Sequence, residues 1–199
     1  MKYSSLCLVL LLVGCKSGPP SQSGFLKDYS KLEQVGKRPH AWVWEKPGVD
    51  MRIYDRLMFD PVEVKLLEGS RAGELGKETL GKVADAFRRI MTETIDPYYS
   101  VVTKRGPYVL RVRLAVTDVA PAQQAGKGGP NVRMGQATME GEFLDAVSGE
   151  QLAAFTERIS GSAAGKGQVP PEWRHVEGAF QEWANALLDY MDRKHAGVE

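Results

Sequence analysis

Apolar and polar residues alternate along YVLRVRLAVTDV, residues 108–119: Leu110, Val112, Leu114 and Val116 fall on one side, Arg111, Arg113 and Thr117 on the other. A period of two is that of a strand with one face buried. Residues 133–145 repeat the theme, with Ala137, Met139 and Phe143 set against Gln136, Thr138, Glu140 and Glu142. Ser148-Gly149 makes a turn and residues 151–159 return as a third strand, so 143–155 reads as a hairpin. Earlier, FDPVEVKLL (59–67) places Val62, Val64 and Leu66 opposite Glu63 and Lys65, and Pro61 near its start predicts an edge position or an irregular beginning.

Two segments change to a helical period. Between 77 and 95, Leu80, Val83, Phe87, Ile90 and Met91 form one stripe, with Lys82, Asp85, Arg88, Arg89 and Glu93 on the other side; Asp96-Pro97 ends the run. After Pro170-Pro171, Val176, Phe180, Trp183, Leu187 and Met191 form a second stripe. An antiparallel sheet that is polar on one face must cover its other face, and the two amphipathic helices are available for that. The predicted fold is an α+β two-layer sandwich, a mostly antiparallel sheet of about four to five strands covered by two helices.

The first residues follow a different logic. Lys2 gives a basic start, and Leu6 to Val13 is an uninterrupted apolar run, too short for a bilayer span of about 20 residues. This is the pattern of a secretory signal peptide. Directly after it, Leu12-Val13-Gly14-Cys15 resembles the lipobox of bacterial lipoproteins, which implies cleavage before Cys15, a diacylglycerol on its thiol and acylation of the new amine. Small Gly14 allows a protease to approach, and only a thiol forms the thioether; the simpler alternative is a cysteine that happens to end an ordinary signal peptide. Two or three acyl chains anchor firmly where one binds only marginally. Lys16 is not the aspartate that retains many such proteins in the inner membrane. By that analogy the expected location is the outer membrane, with the periplasmic face favoured and the cell surface as alternative.

KSGPPSQSG, residues 16–24, offers almost nothing to bury and reads as a flexible tether. The expected organisation is a signal peptide over 1–14, a lipidated tether over 15–27 and one α+β domain over 28–195. The other cysteine, Cys7, leaves with the signal peptide, so the mature chain is expected to carry neither a free thiol nor a disulfide. PAQQAGKGGPN from Pro121 and GSAAGKGQVPP from Gly161 read as long loops that present contact surfaces.

The whole chain has a formal charge of +1, which falls to zero when Lys2 is removed. That leaves no basic excess for nucleic acid. With 43% hydrophobic residues, one core is expected.

Candidate chemistry is sparse. Gly73-Glu74-Leu75-Gly76-Lys77 falls short of a phosphate loop: no glycine lies five residues before Gly76, and Glu78 stands where a hydroxyl residue belongs. A turn leading into a helix is the plainer reading, and no cofactor is expected. Glu172 and His175 are spaced to share a ligand, yet zinc needs at least three protein ligands, and neither His40 nor His195 belongs to a second cluster, so no metal is expected. Glu140 and Glu142 share one strand face, where a carboxylate pair for acid and base work could sit, and Arg111 and Arg113 share a face of the neighbouring strand. Cross-strand charge pairs on a wet sheet face explain all four. No serine occupies a GxSxG elbow. Trp42 and Trp44, alternate residues of AWVWEKPGVD, are either a docking surface or rings packed on their own domain.

The string SGFLKDYSKL, then IYDRLMFDPVEV, the LDAVSGEQLAAF hairpin and the tryptophan-containing last helix together resemble a proteobacterial lipoprotein family catalogued as domain-of-unknown-function family 3313. The resemblance runs from Ser23 to about Asp192. It implies an exported, lipid-anchored α+β domain and carries over no catalytic residues.

The expected function is therefore a non-enzymatic binding or scaffolding module of the cell envelope. It would be held on membrane lipid by acylated Cys15 and would touch a protein or cell-wall partner through its loops and a surface including Trp42, Trp44, Arg111, Arg113, Glu140 and Glu142. One alternative is an envelope hydrolase using Glu140 or Glu142 with His175. The other is a carrier of a small apolar ligand, which requires an internal cavity of several hundred Å3 between sheet and helices.

Overall fold

Residues Val109–Ala120 form the longest strand, and the rest of the sheet is assembled around it. The computed structural model describes residues 20, 22–36, 38–120, 135–160 and 174–197. In chain order these contain β1 (Glu33–Gln34), β2 (Ala41–Glu45), β3 (Arg56–Phe59), β4 (Glu63–Val64), α1 (Lys77–Ile95), β5 (Ser100–Val101), β6 (Val109–Ala120), β7 (Gln136–Asp145), β8 (Gln151–Ser160) and α2 (Arg174–His195). The order across the sheet is β1-β2-β8-β7-β6-β3-β5, with β4 also pairing with β6. The class is α+β, as expected, but the sheet has eight strands where four to five were foreseen, because β1, β4 and β5 are two-residue strands without a readable period.

The long strands pair antiparallel, β6 with β7, β7 with β8 and β8 with β2. β3 and β4 join β6 in parallel, and β5 joins β3 in parallel. The strand expected over 59–67 is thus two pieces interrupted at Asp60-Pro61, in keeping with proline's lack of a ladder donor. At the hairpin, Gly149 adopts a left-handed φ of +74°, a conformation that glycine takes without steric cost.

Leu110, Val112, Leu114 and Val116 of β6, with Met139 and Phe143 of β7, face both helices. The predicted helical stripes meet there: Phe87 of α1 stacks on Phe180 of α2 with ring centroids 4.5 Å apart, and Trp183 lies 5.4 Å from Phe87. Gly141 also belongs to this face. A Cβ there would overlap two ring carbons of Phe155, so the absent side chain is the space the ring occupies.

The opposite face is not open to water. Phe25, Leu26 and Leu32 pack over Ala115 and Ala154, with Tyr29, Trp42 and Trp44 beside them. This corrects the expectation of a wet, polar sheet face: the alternating polar residues lie beneath the N-terminal segment. Ser23–Leu26, assigned above to the tether, are part of that cover, so the packed chain begins before residue 28; Phe25 and Leu26 are 7% and 3% exposed.

Candidate functional site

Two places hold unusual chemistry. One is the covered face. Glu140 sits on β7 opposite Ala115 and Thr156 and is completely buried. Its Oε1 accepts from the backbone N–H of Ser23 at 2.9 Å, and its Oε2 accepts from the Tyr29 hydroxyl at 2.5 Å. Burial, reinforced by that carboxylate, raises the Tyr29 phenol above its ordinary value, so it remains a donor. Glu142, two residues along on the same face and also buried, accepts from Arg113 Nη1 and from Gln151 Nε2, the latter at 2.6 Å.

Arg113 further donates to Glu63 Oε1 at 2.9 Å and lies 5.0 Å over the Phe25 ring. Arg111 is engaged with Asp60, whose Oδ2 it reaches at 2.5 Å; that hydrogen-bonded pairing raises the guanidinium's pKa. Of the cross-strand charge pairs expected, the register supplies Arg113 opposite Glu142 and puts Ala115, not an arginine, opposite Glu140. Glu140 thus holds Ser23 and Tyr29 of the N-terminal segment and Arg113 covers Phe25, while Arg111 and Glu142 are satisfied by Asp60, Arg113 and Gln151.

The second place is a cavity of about 300 Å3 between β2, β7, β8 and α2. Met139, Phe143 and Phe155 wall it on the sheet side, Trp183, Leu187 and Tyr190 on the helix side. It exists because facing positions carry short side chains: Ala41 on β2, Ala153 on β8 and Ala186 on α2 all contribute lining. The volume is at the lower end of the range of about 300–1000 Å3 found for small-molecule sites.

Polar groups gather on one side of this cavity. Glu157 has only 12% of its side chain exposed; its Oε2 accepts from Trp183 Nε1 at 3.0 Å and its Oε1 faces Arg38 Nη2 at 2.7 Å. Burial holds the Glu157 carboxyl above the usual range, against the opposing pull of Arg38 and Trp183. Glu45 Oε2 accepts from Lys194 Nζ at 2.7 Å. Thr156 spends its hydroxyl on the Met139 carbonyl at 3.0 Å. Tyr190 Oη, by contrast, is buried without a hydrogen-bond partner among the described residues. The lining is thus mostly hydrocarbon with a charged margin, which suits retention of an apolar molecule.

A family model described as a protein of unknown function (DUF3313) matches residues 21–187. The chain belongs to the DUF3313 family. Among curated proteins it is similar to the uncharacterized lipoprotein YdcL of Escherichia coli K12, 25% identical over 207 residues that cover 92% of each chain. Among solved structures it is similar to the PelC dodecamer from Paraburkholderia phytofirmans, at TM-score 0.40 and 12% identity, over 71% of this chain and 93% of that one. It is also similar to a DUF4136 family protein from Bacteroides thetaiotaomicron, at TM-score 0.38 and 8% identity, over 76% and 96%.

For this DUF3313 chain, the sequence-derived site residues divide clearly. Trp42 and Trp44 are partly buried and pack on their own domain, with Lys31 Nζ 4.8 Å over the Trp44 ring. Glu140 and Glu142 lie on the sheet face opposite the helices, whereas His175 is in the first turn of α2, so the sheet separates the members of the hydrolase pairing. Residues 71–74 form a single 3-10 turn before α1, the plainer of the two readings of Gly73–Lys77. His40 immediately precedes β2, and His175 and His195 stand at the start and the end of α2. Among the described residues, no group of three or more His, Cys, Asp or Glu could hold a metal ion. Leu12, Val13, Gly14, Cys15, Lys16, Glu172 and both glycine-rich loops lie outside the described residues.

Sequence reasoning missed the cavity margin entirely. Arg38, Glu45, Glu157 and Tyr190 come from separate parts of the chain, and no local spacing links them. The alternation of β8 could have flagged Glu157, which falls with Phe155 and Ile159 on the apolar side.

Proposed function

We propose that this protein is a lipid-anchored, non-catalytic binding module of the bacterial cell envelope, acylated at Cys15 and holding a small apolar ligand between its sheet and α2. The cavity of about 300 Å3, which opens to the surface, carries the reading, since a concave and mostly apolar volume of this size is what an apolar-ligand module needs. The covered sheet face argues against an external partner there, because its acidic and basic groups already answer to one another and to Ser23 and Tyr29. Support for the anchor comes from the Leu12–Cys15 motif and from similarity to a curated lipoprotein. The outer membrane, periplasmic side, is the location that Lys16 favours.

Each buried methylene contributes roughly 0.8 kcal/mol, so a chain of about ten carbons supplies on the order of 8 kcal/mol gross, enough to offset much of the cost of association. The test is titration of the mature protein with N-phenyl-1-naphthylamine, whose emission rises in apolar surroundings. Saturable binding in the wild type, lost in an Ala186→Leu variant that fills the cavity, is the expected result. Unsaturable binding, or binding untouched by Ala186→Leu, would remove the reading.

A further inference from the structure

Resting on the reading of the cavity as an apolar-ligand site, we propose that its occupant is a single acyl chain ending in an anionic head, held at the cavity margin by Tyr190 and Arg193. The argument is an inventory of donors and acceptors. Both carboxylates on the margin already have cations: Glu157 faces Arg38 at 2.7 Å and also serves Trp183, and Glu45 faces Lys194 at 2.7 Å. A cationic head would have to displace one of these partners.

Donors, in contrast, are in surplus. Tyr190 Oη is buried outside hydrogen-bond geometry with any acceptor among the described residues; the Glu45 carboxylate is the acceptor it faces, and that carboxylate already holds Lys194. A buried hydroxyl left unpaired costs about 1–3 kcal/mol, which an arriving acceptor recovers. Burial, with the Glu45 carboxylate next in weight, raises its phenol pKa, so the proton stays in place at neutral pH. Arg193 follows three residues later on α2, lines the same cavity and makes no ion pair among the described residues. Positions i and i+3 lie on one helix face, so phenol and guanidinium address the same volume.

Of the charged residues lining the cavity, Arg38 and Arg193 balance Glu45 and Glu157; with Arg38 facing Glu157 and Lys194 facing Glu45, the guanidinium of Arg193 is left without an ion pair among the described residues. An alkyl carboxylate or phosphate satisfies both donors and pairs with that guanidinium. A neutral alcohol satisfies Tyr190 alone.

The experiment displaces bound N-phenyl-1-naphthylamine from the mature protein with dodecanoate, dodecyl phosphate, dodecanol and dodecylammonium, each below its micelle threshold and at low salt. The expected result is that at least one anionic amphiphile displaces the probe at about tenfold lower concentration than dodecanol, with dodecylammonium weakest. The two anionic arms tell a carboxylate head from a phosphate head. Tyr190→Phe and Arg193→Gln should each cut the preference for the anion over dodecanol several-fold and leave dodecanol itself unchanged; neither alters a packed contact of the core beyond one hydroxyl. Equal displacement by all four compounds would overturn the head-group assignment while leaving the apolar site intact. Failure of every compound to displace the probe would overturn both.

Discussion

Tyr29 donates its hydroxyl to Glu140, 111 residues away, and through that bond the N-terminal segment is fastened to the middle strand of the sheet. Glu140 is wholly buried, and its two oxygens are taken by neutral donors, the Tyr29 hydroxyl and the Ser23 amide. With eight residues from Lys16 to Ser23, an extended tether spans at most about 26–29 Å. With Cys15 acylated as proposed, fastening at Ser23 would keep the domain within that distance of the membrane.

Tyr29→Phe should cost about 1–3 kcal/mol of unfolding free energy, because it removes one of two donors from a buried carboxylate. Glu140→Gln should cost less than Tyr29→Phe, since the amide oxygen still accepts one bond and no unpaired charge remains. Urea unfolding ranks the two, and trypsin cleavage at Lys27 or Lys31 should quicken in Tyr29→Phe if the segment loosens. Unchanged stability in both variants would mean that the contact only decorates a segment held by Phe25 and Leu26.

Arg113 makes a comparable prediction with the opposite charge. It serves Glu142 and Glu63 and covers Phe25, while Glu142 is buried. Removing one partner of a buried pair leaves the other charge uncompensated, a loss of roughly 3–5 kcal/mol when burial is full. Because the Arg113 side chain is 26% exposed, Arg113→Met should fall at or below the bottom of that range. Arg113→Met combined with Glu142→Met should recover most of the loss. Arg113→Lys should be intermediate, since one ammonium cannot reproduce a fork that reaches two carboxylates.

These two relationships also mark where the sequence was and was not readable. The stripes of α1 and α2 and the alternation of β6, β7 and β8 were plain because each extends over ten residues or more and every turn or pair repeats the signal. Alternation reports only that two faces differ, and polar residues such as Glu140 and Arg113 look alike whether water or another segment covers them. The cover itself, around SGFLKDYSKL, has no period, because an irregular segment places Phe25, Leu26 and Leu32 by following the surface it lies on. The cavity was unreadable for a related reason: it is volume left by Ala41, Ala153 and Ala186 when three separate elements meet.

Gly141 tests the packing beneath the cavity. A methyl there would overlap Phe155 ring carbons and meet Leu114 Cδ2 at 2.9 Å. Overpacking of this kind costs typically about 1–3 kcal/mol. Gly141→Ala should therefore lower the melting temperature, and Phe155→Leu in the same chain should return part of the loss, because the smaller side chain vacates the contested space. A double-mutant cycle measures that coupling, and simple additivity would show that the strain is relieved elsewhere.

Glu157 makes the pH prediction, and its sign follows from burial. Its carboxyl is raised in the folded protein above the ordinary value of 4.5, so the folded state holds the proton more tightly than the unfolded chain. A group of that kind favours folding when protonated, and its contribution is lost as pH rises through the interval between the unfolded and folded values. Above that interval the buried charge opposes folding, with Arg38 and Trp183 offsetting part of the cost. Glu157→Gln keeps an acceptor for Trp183 Nε1 but cannot titrate. The melting temperature of the variant minus that of the wild type should accordingly rise as pH increases from about 4.5 toward neutrality. A difference that falls over the same interval would show that the Arg38 ion pair outweighs burial and that the folded-state value is lowered instead. Groups whose folded values are depressed, such as Asp145 with its bonds from Ser148, act with the opposite sign in both proteins and cancel in the difference.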